Sequence, residues 1–274
     1  MESGPGRRWM FRDVLIVAAV ALLLAPALIV LVRSRREASA RVACADNLKG
    51  LGLALLLYSN ENRGSVPRVR YTLAKVVTPV WGTGAMSSDP FTGPEPNDVT
   101  AAMFLLLRTQ DITAATFVCP STDAVPDTCG GAGVGRKETA QGRANFTDVR
   151  KNLSYSLQNP YPDEWAAPRN PRWKRGSISS EFAAAADMNP GTAGADDDVT
   201  KPTLSSAANL MKMANSNNHG GEGQNVLFGD GHVGFRRSPF AGDNKDNIFT
   251  NQLGQVVASP RREWEDSVLL PTDD

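Results

Sequence analysis

One uncharged stretch near the N-terminus constrains this chain more than any other feature. Residues 14–32, "VLIVAAVALLLAPALIVLV", are nineteen residues without a charged side chain. As an α-helix they would extend roughly 28 Å, about the thickness of the hydrocarbon core of a membrane. Pro26 lies inside the run and would kink the helix or remove one hydrogen bond. Arginines flank both ends: Arg7, Arg8, Arg12, Arg33, Arg35 and Arg36. The sequence therefore predicts a short tail at 1–13 and an uncleaved transmembrane helix at 14–32, rather than a buried core helix or a signal peptide.

The helical pattern continues beyond the apolar run. Residues 35–60 contain no proline, and their apolar side chains recur at steps of four and three residues, at Cys44, Leu48, Leu51, Leu55 and Tyr58. That spacing is typical of one face of an amphipathic helix. The turn-rich stretch "NENRGSVP" should end it. We therefore predict a soluble helical continuation at 33–62, a globular domain at 63–255 and a C-terminal tail at 256–274.

The remaining segments are short and separated by long loops rich in proline and glycine. A helix is predicted at 99–108, capped by Asn97 or Asp98, and strands at "ATFVCP" and "NLSYSLQ". The stretch "SSEFAAAADMNP" indicates a strand or a short helix. The clearest hairpin pairs residues 225–228 with 232–235, which puts Val226 and Phe228 on one face and Leu227 on the other. Since no strand-helix-strand rhythm occurs, the pattern predicts an α+β fold with an antiparallel sheet.

Charge and cysteine content narrow the function classes. Lys+Arg and Asp+Glu both number 29, so no basic excess favours nucleic-acid binding. Cys119 and Cys129 are nine residues apart in a loop-like stretch, which suits a disulfide in an oxidising compartment and leaves Cys44 over. A zinc site is the weaker interpretation, because no CxxC spacing occurs.

Both histidines of the chain lie within residues 215–235, "NSNNHGGEGQNVLFGDGHVGF". His219, Asp230 and His232 could hold zinc in an anchored hydrolase. However, no HExxH motif, nucleophile elbow or separate glutamate base accompanies them. The favoured interpretation is structural: the Gly-Asp-Gly stretch at 229–231 forms the hairpin turn, and His219 fixes the adjacent Gly-rich loop through hydrogen bonds.

Five stretches that follow one another along the chain resemble the motifs of a known family. "CADNLKGLGLALLLYSNENRGSVP" is similar to a Cys-x-x-Asn-Leu-Lys helix end, "FVCPS" to a Cys-Pro-Ser motif, and "NLSYSL" to a Ser-Tyr strand. "NVLFGDGHVGF" resembles an Asn-Val-Leu-Phe-Ala-Asp-Gly-His-Val hairpin, and "DNIFT" a common ending. These are motifs of bacterial pseudopilin-like proteins associated with prepilin-type processing. Their C-terminal signature is His, nine residues, then Asp-Gly.

The resemblance implies a pilin-like fold, with a long N-terminal helix whose second half packs on a small antiparallel sheet. It also implies a cytoplasmic N-terminus, a single pass through the inner membrane and an extracytoplasmic domain. The expected function is a non-enzymatic component of a type II secretion or type IV pilus-like system, with other pseudopilins as partners. The expected structural signature is His219, Asn225, Asp230, Gly231 and His232. One alternative is an envelope binding module that keeps the pilin fold and does not polymerise; the other is the anchored hydrolase.

Two departures from the family pattern stand out. Ten residues separate His219 from Asp230, where the family has nine. Counting back from Cys44, Trp9 would be the first mature residue, with Arg8 in place of glycine and Asp13 in place of glutamate. A prepilin peptidase requires a small residue before the cut, so this N-terminus does not favour processing.

No cofactor is expected, with calcium as the one open alternative. Some secretion pseudopilins bind calcium in a C-terminal loop, and "GDNKDN" offers oxygen ligands at Asp243, Asn244, Asp246 and Asn247. Residues 196–198 form a second acidic cluster. Neither matches an EF-hand loop, and solvated loop charge is the favoured interpretation.

Overall fold

One helix, α1 (Phe11–Glu61), dominates the N-terminal part of the chain. The computed structural model describes residues 11–168, 179–194, 197–260 and 266–273, except for the side chains of residues 11–14 and 17. Contacts divide the chain into two units between Ala40 and Arg41. The first unit contributes exposed apolar side chains such as Leu22 and Leu23, which are 76% and 77% exposed. Within the described residues α1 is long and apolar enough to cross a membrane, and none of its most apolar window is buried.

The second unit begins with the amphipathic half of α1. All five residues of the predicted apolar stripe are buried, which confirms the face assigned from their spacing: Cys44, Leu48, Leu51, Leu55 and Tyr58. Gly52 explains how closely this helix approaches the sheet, because a Cβ atom there would lie 2.8 Å from Leu227 Cδ1. A larger residue at position 52 would require the Leu227 side chain to move within the core.

A short buried helix, α2 (Val99–Thr109), packs in the same core. Asp98 caps it by accepting a hydrogen bond from the Ala101 N–H, as one of the two predicted caps. Among the described residues that follow are three shorter α-helices, α3 (Lys137–Ala140), α4 (Val149–Asn152) and α5 (Ala208–Lys212). The predicted strand at "ATFVCP" is wrong, because Ala114–Phe117 form a 3₁₀ turn and only the residues after it are extended.

Five antiparallel strands form the sheet: β1 (Tyr155–Gln158), β2 (Ala183–Asp187), β3 (Gln224–Phe228), β4 (Val233–Arg236) and β5 (Leu269–Leu270). Their order is β4-β3-β2-β1-β5. The predicted α+β class with an antiparallel sheet is therefore confirmed. The predicted tail at 256–274 is wrong in part, because β5 pairs with β1 at the edge of the sheet.

Two apolar clusters lie on the two faces of the sheet. Leu227 contributes to the cluster that contains the α1 stripe and α2. Val226 and Phe228 contribute to a second cluster with Ile248 and Phe249. This alternation follows from the two-residue period of a strand and confirms the predicted facing of these three side chains.

Candidate functional site

The hairpin β3–β4 positions both histidines of the chain. Asn225 pairs with Phe235, Val226 with Gly234 and Leu227 with Val233, which is the predicted pairing. The turn closes with the Phe228 N–H donating to the His232 carbonyl at 2.9 Å. Gly231 has a φ of 94°, a conformation that favours glycine, so the Gly-Asp-Gly turn is explained by backbone geometry.

His232 and Asp230 pair with each other on the exposed turn. His232 Nδ1 lies 2.6 Å from Asp230 Oδ1, and the two side chains are 46% and 47% exposed. Hydrogen bonds from the backbone N–H and the ring of His232 hold the pKa of Asp230 below its usual range. The imidazole also stacks on Phe228 at 4.4 Å between ring centres. These contacts account for both residues as parts of a turn.

His219 occupies the opposite kind of environment. It ends a 3₁₀ turn, Asn217–His219, and its side chain is fully buried beside Asp187. His219 Nε2 lies 3.2 Å from Asp187 Oδ2 and 3.2 Å from Asn225 Nδ2. The predicted metal triad is therefore not assembled, because His219 lies with Asp187 whereas Asp230 and His232 pair on the surface.

Asp187 is the acceptor at the centre of this buried cluster. Its carboxylate accepts the Asn225 backbone N–H at 2.6 Å, the Asn225 side chain at 3.2 Å and the Asn218 side chain at 3.3 Å. Asp187 ends β2, and Ala186 pairs with Val226 of β3, so the strand register places Asp187 next to Asn225. A carboxylate with several N–H donors and an imidazole can remain in a dry interior because its charge is compensated.

A disulfide joins Cys44 of α1 to Cys119 directly beside His219. Their Cα atoms are 5.0 Å apart, and Cys119 Sγ lies 3.9 Å from His219 Nε2. The predicted Cys119–Cys129 disulfide is therefore wrong. Residue spacing along the chain favoured the neighbouring cysteine, whereas folding brings together two residues 75 positions apart.

Cys129 is instead a buried free thiol held in a separate loop. Its backbone N–H donates to Asp127 Oδ1 at 2.8 Å, and Asp127 also accepts from the N–H and hydroxyl of Thr147. Burial, with a smaller contribution from the Asp127 charge, raises the pKa of the Cys129 thiol to about 11. At neutral pH this cysteine is protonated and poorly nucleophilic.

A second set of hydrogen bonds ties α1 to β1 next to the disulfide. Asn47 Nδ2 donates to the Val118 carbonyl at 2.8 Å and lies 3.3 Å from the Tyr155 hydroxyl. The Tyr155 hydroxyl in turn reaches the Cys44 carbonyl at 3.5 Å. Burial raises the pKa of Tyr155 well above its usual range, so its hydroxyl remains a neutral donor.

Four potential metal-ligand atoms meet within this cluster. Within the described part of the chain they form the group in which every ligand atom lies within 4.8 Å of the others: Cys44, Cys119, Asp187 and His219. All four residues are buried, with at most 3% of any of them exposed. Sequence reasoning named Cys44, Cys119 and His219 separately. It missed Asp187, whose only signal was its position near the end of a segment predicted as a strand or a short helix.

The predicted calcium loop is engaged in bonds to its own domain. Asp246 accepts the Ser267 N–H at 3.0 Å. Asn247 donates to the Val199 carbonyl at 2.9 Å and accepts the Phe249 N–H at 3.1 Å. Asp243 and Asn244 lie in a 3₁₀ turn, Asp243–Lys245. Calcium binding by this loop stays a prediction.

The residues considered for N-terminal processing are Arg8, Trp9 and Asp13. Arg8 and Trp9 lie outside the described residues, as does the side chain of Asp13. Asp196 of the second acidic cluster also lies outside them, while Asp198 binds Lys201 at 3.3 Å.

Comparisons with protein-family models, with curated proteins and with solved structures find no match to this chain.

Proposed function

We propose that this chain is a non-enzymatic, membrane-anchored pseudopilin-like protein that acts as a structural or interaction component of a type II secretion or type IV pilus-like system. The apolar half of α1 anchors it, with the N-terminus in the cytoplasm and the globular domain outside. The amphipathic half of the same helix forms part of the domain core, the arrangement that the family resemblance implies.

The observation that carries this proposal is where the motif residues lie. Residues from four of the five stretches that resemble the family meet in one buried cluster. They are Cys44 and Asn47 of the helix motif, Cys119 of "FVCPS", Tyr155 of "NLSYSL" and Asn225 of the hairpin motif, together with His219 of the C-terminal signature. Because the cluster joins α1 to the sheet and is shielded from solvent, it suits a scaffold rather than a site that turns over substrate.

The Gly-rich loop after His219 is consistent with the extra residue in the signature. Gly220, Gly221 and Gly223 all have positive φ angles, of 62°, 73° and 148°. Glycine adopts these conformations without steric cost, so such a loop accommodates a residue more easily than a strand does. His219 keeps its contact with Asn225 despite the longer loop.

Protease accessibility tests the anchoring and its direction. The full chain, produced in a bacterial host, should stay in the membrane fraction after alkaline washing, and protease added to spheroplasts should digest its domain. A matched variant, Leu22→Arg/Leu23→Arg, changes only exposed side chains of the apolar half and should be released by the wash. A domain protected from protease in intact spheroplasts, and digested only after lysis, would refute the orientation.

N-terminal sequencing of the membrane-bound form separates the two versions of this function. A chain starting at Trp9 would be a processed pseudopilin that can assemble. A chain that keeps "MESGPG" would be an anchored component that joins its partners through the domain surface.

A further inference from the structure

We propose that the buried cluster of Cys44, Cys119, Asp187 and His219 is a zinc-type metal site when its two cysteines are reduced, and that disulfide formation releases the metal. The inference is independent of membrane anchoring, since all four residues lie in the domain that begins at Arg41. It concerns the same chain in two oxidation states: a metal-bound dithiol and a metal-free disulfide.

The chemistry of the four ligands favours zinc over a hard cation. Two thiolates, one imidazole and one carboxylate are ligands that Zn²⁺ takes in tetrahedral sites. Ligand distances of about 2.0–2.3 Å to zinc put neighbouring ligand atoms roughly 3.3–3.8 Å apart. The observed separations around His219 Nε2 are 3.2 Å to Asp187 Oδ2 and 3.9 Å to Cys119 Sγ. All four ligand atoms lie within 4.8 Å of one another, and once the disulfide is absent, rotation of the two cysteine side chains can separate the two sulfurs.

A second observation is independent of the ligand types. His219 Nε2 lies equally close, at 3.2 Å, to a carboxylate oxygen and to the Asn225 amide nitrogen. The Asn225 amide nitrogen has two other acceptors, Asp187 Oδ2 at 3.2 Å and the Arg41 carbonyl at 3.4 Å, so it does not depend on His219. Nε2 therefore points at the Asp187 carboxylate from inside the cluster, with a proton between the two atoms. A cation between the ligands would take the place of that proton.

The surroundings already hold the carboxylate as a metal site requires. The Asn225 backbone N–H fixes Asp187 Oδ2 at 2.6 Å, and the Asn218 side chain reaches Oδ1 at 3.3 Å. Asn218 also donates to the Ser154 carbonyl at 2.7 Å, which fixes its own position. Such outer contacts orient the first ligands and are typical of built metal sites.

The chain would pass between the metal-bound dithiol and the metal-free disulfide by metal binding and by oxidation of the two cysteines. Metal binding displaces one proton from each thiol, and the site then carries the charges of Zn²⁺, two thiolates and one carboxylate. Oxidation by a disulfide oxidant forms the Cys44–Cys119 bond as its own S–S bond breaks. The oxidant gains two electrons from the two thiolates and two protons from solvent, and becomes a dithiol. The sulfurs no longer carry negative charge, so the metal loses its two thiolate ligands and leaves.

Metal content of the reduced chain tests the proposal. The full chain is produced anaerobically in a bacterial strain that lacks its disulfide-forming oxidase, and it is purified in detergent without oxidant. Elemental analysis should find one zinc per chain. Replacement by Co²⁺ should give a thiolate-to-cobalt charge-transfer band together with the visible bands of a tetrahedral site. The oxidised chain should show neither, and zinc should raise the thermal midpoint of the reduced chain alone.

Matched variants locate the metal. Cys119→Ser and His219→Gln should each lose it, while Cys129→Ser and His232→Gln change the same residue types outside the cluster and should retain it. A reduced chain that is folded by circular dichroism but carries no metal would overturn the proposal. So would a reduced chain that is unfolded and does not fold when zinc is added. Charge transfer that persists in Cys119→Ser and disappears in Cys129→Ser would also overturn it.

Discussion

The two histidine–aspartate pairs of this chain differ in almost every physical respect. His232 and Asp230 are 2.6 Å apart on a turn where nearly half of each side chain is exposed. His219 and Asp187 are 3.2 Å apart, and both side chains are fully buried. Separation alone would rank the exposed pair as the stronger one.

Burial reverses that ranking. Water screens the exposed pair and replaces either partner when the other is removed, so such pairs contribute little to stability. The buried pair has no water to replace a lost partner, and removing one side leaves donors and charge unsatisfied. Within residues 215–235, His219 therefore contributes most to the stability of the fold, whereas His232 and Asp230 stabilise the hairpin turn.

The largest expected effect is the loss of the buried carboxylate. Asp187→Ala should lower the free energy of unfolding by about 3–5 kcal/mol, because His219 and the amide donors of Asn225 and Asn218 would lose their buried acceptor. Urea unfolding of the full chain in mild detergent, followed by tryptophan fluorescence, measures this. The matched variant Asp230→Ala removes the same group from the exposed pair and should unfold like the wild type within error. Equal losses of stability in the two variants would show that the buried pair contributes no more to the fold than the exposed pair does.

The disulfide provides a second test of the difference between the two pairs, because it lies beside the buried pair and not beside the exposed one. Replacing both Cys44 and Cys119 by serine should cost about 2–4 kcal/mol under oxidising conditions, as the cross-link no longer restricts the unfolded chain. Cys129→Ala removes a buried thiol that forms no disulfide and should cost less, on the order of 1 kcal/mol. If the double variant were as stable as Cys129→Ala, the cross-link would contribute nothing to the fold.

Local patterns in the sequence predicted the elements that the buried cluster is built on. The stripe from Cys44 to Tyr58 follows from helical spacing, and the facing of Val226, Leu227 and Phe228 follows from the strand period. Asp98 was one of two candidates for the cap of α2 because its side chain precedes an apolar helical run. In each case the signal lies within a few residues of the feature that it predicts.

The contacts that make the cluster depend on pairing between distant segments, which no local pattern contains. Both Cys44 and Cys119 are apparent in the sequence, but the packing of α1 decides that they pair with each other. Asp187 belongs to the cluster only because β2 pairs with β3 in one particular register. The strand Leu269–Leu270 is too short to show a period, so its place beside β1 also went unpredicted.

Asp246 adds a third kind of carboxylate to the comparison, because it is partly buried and has no histidine partner. It accepts the Ser267 N–H, but burial, with the nearby charge of Asp266, raises the pKa of Asp246 to about 8. The folded-state pKa thus lies above the ordinary value of 3.8, so the folded chain holds this proton more tightly than the unfolded chain does. The contribution of Asp246 to stability is therefore full below about pH 4 and is lost as pH rises through about 8.

The smallest predicted effect follows from this difference between carboxylates. Asp246→Asn keeps an acceptor for Ser267 and removes the charge. Because Asp246 is only partly buried and solvent screens its charge, the effect should be smaller than the full pKa shift implies. The variant should stabilise the chain at pH 9 by on the order of 1–2 kcal/mol and change little at pH 4. Urea unfolding at a series of pH values measures the difference. Asp243→Asn, a partly exposed neighbour in the same loop, is the matched control and should retain the alkaline loss of stability. If the pH profile of Asp246→Asn coincides with that of the wild type, solvent or a bound cation compensates the charge of Asp246. Burial would then not distinguish Asp246 from the exposed pair of His232 and Asp230.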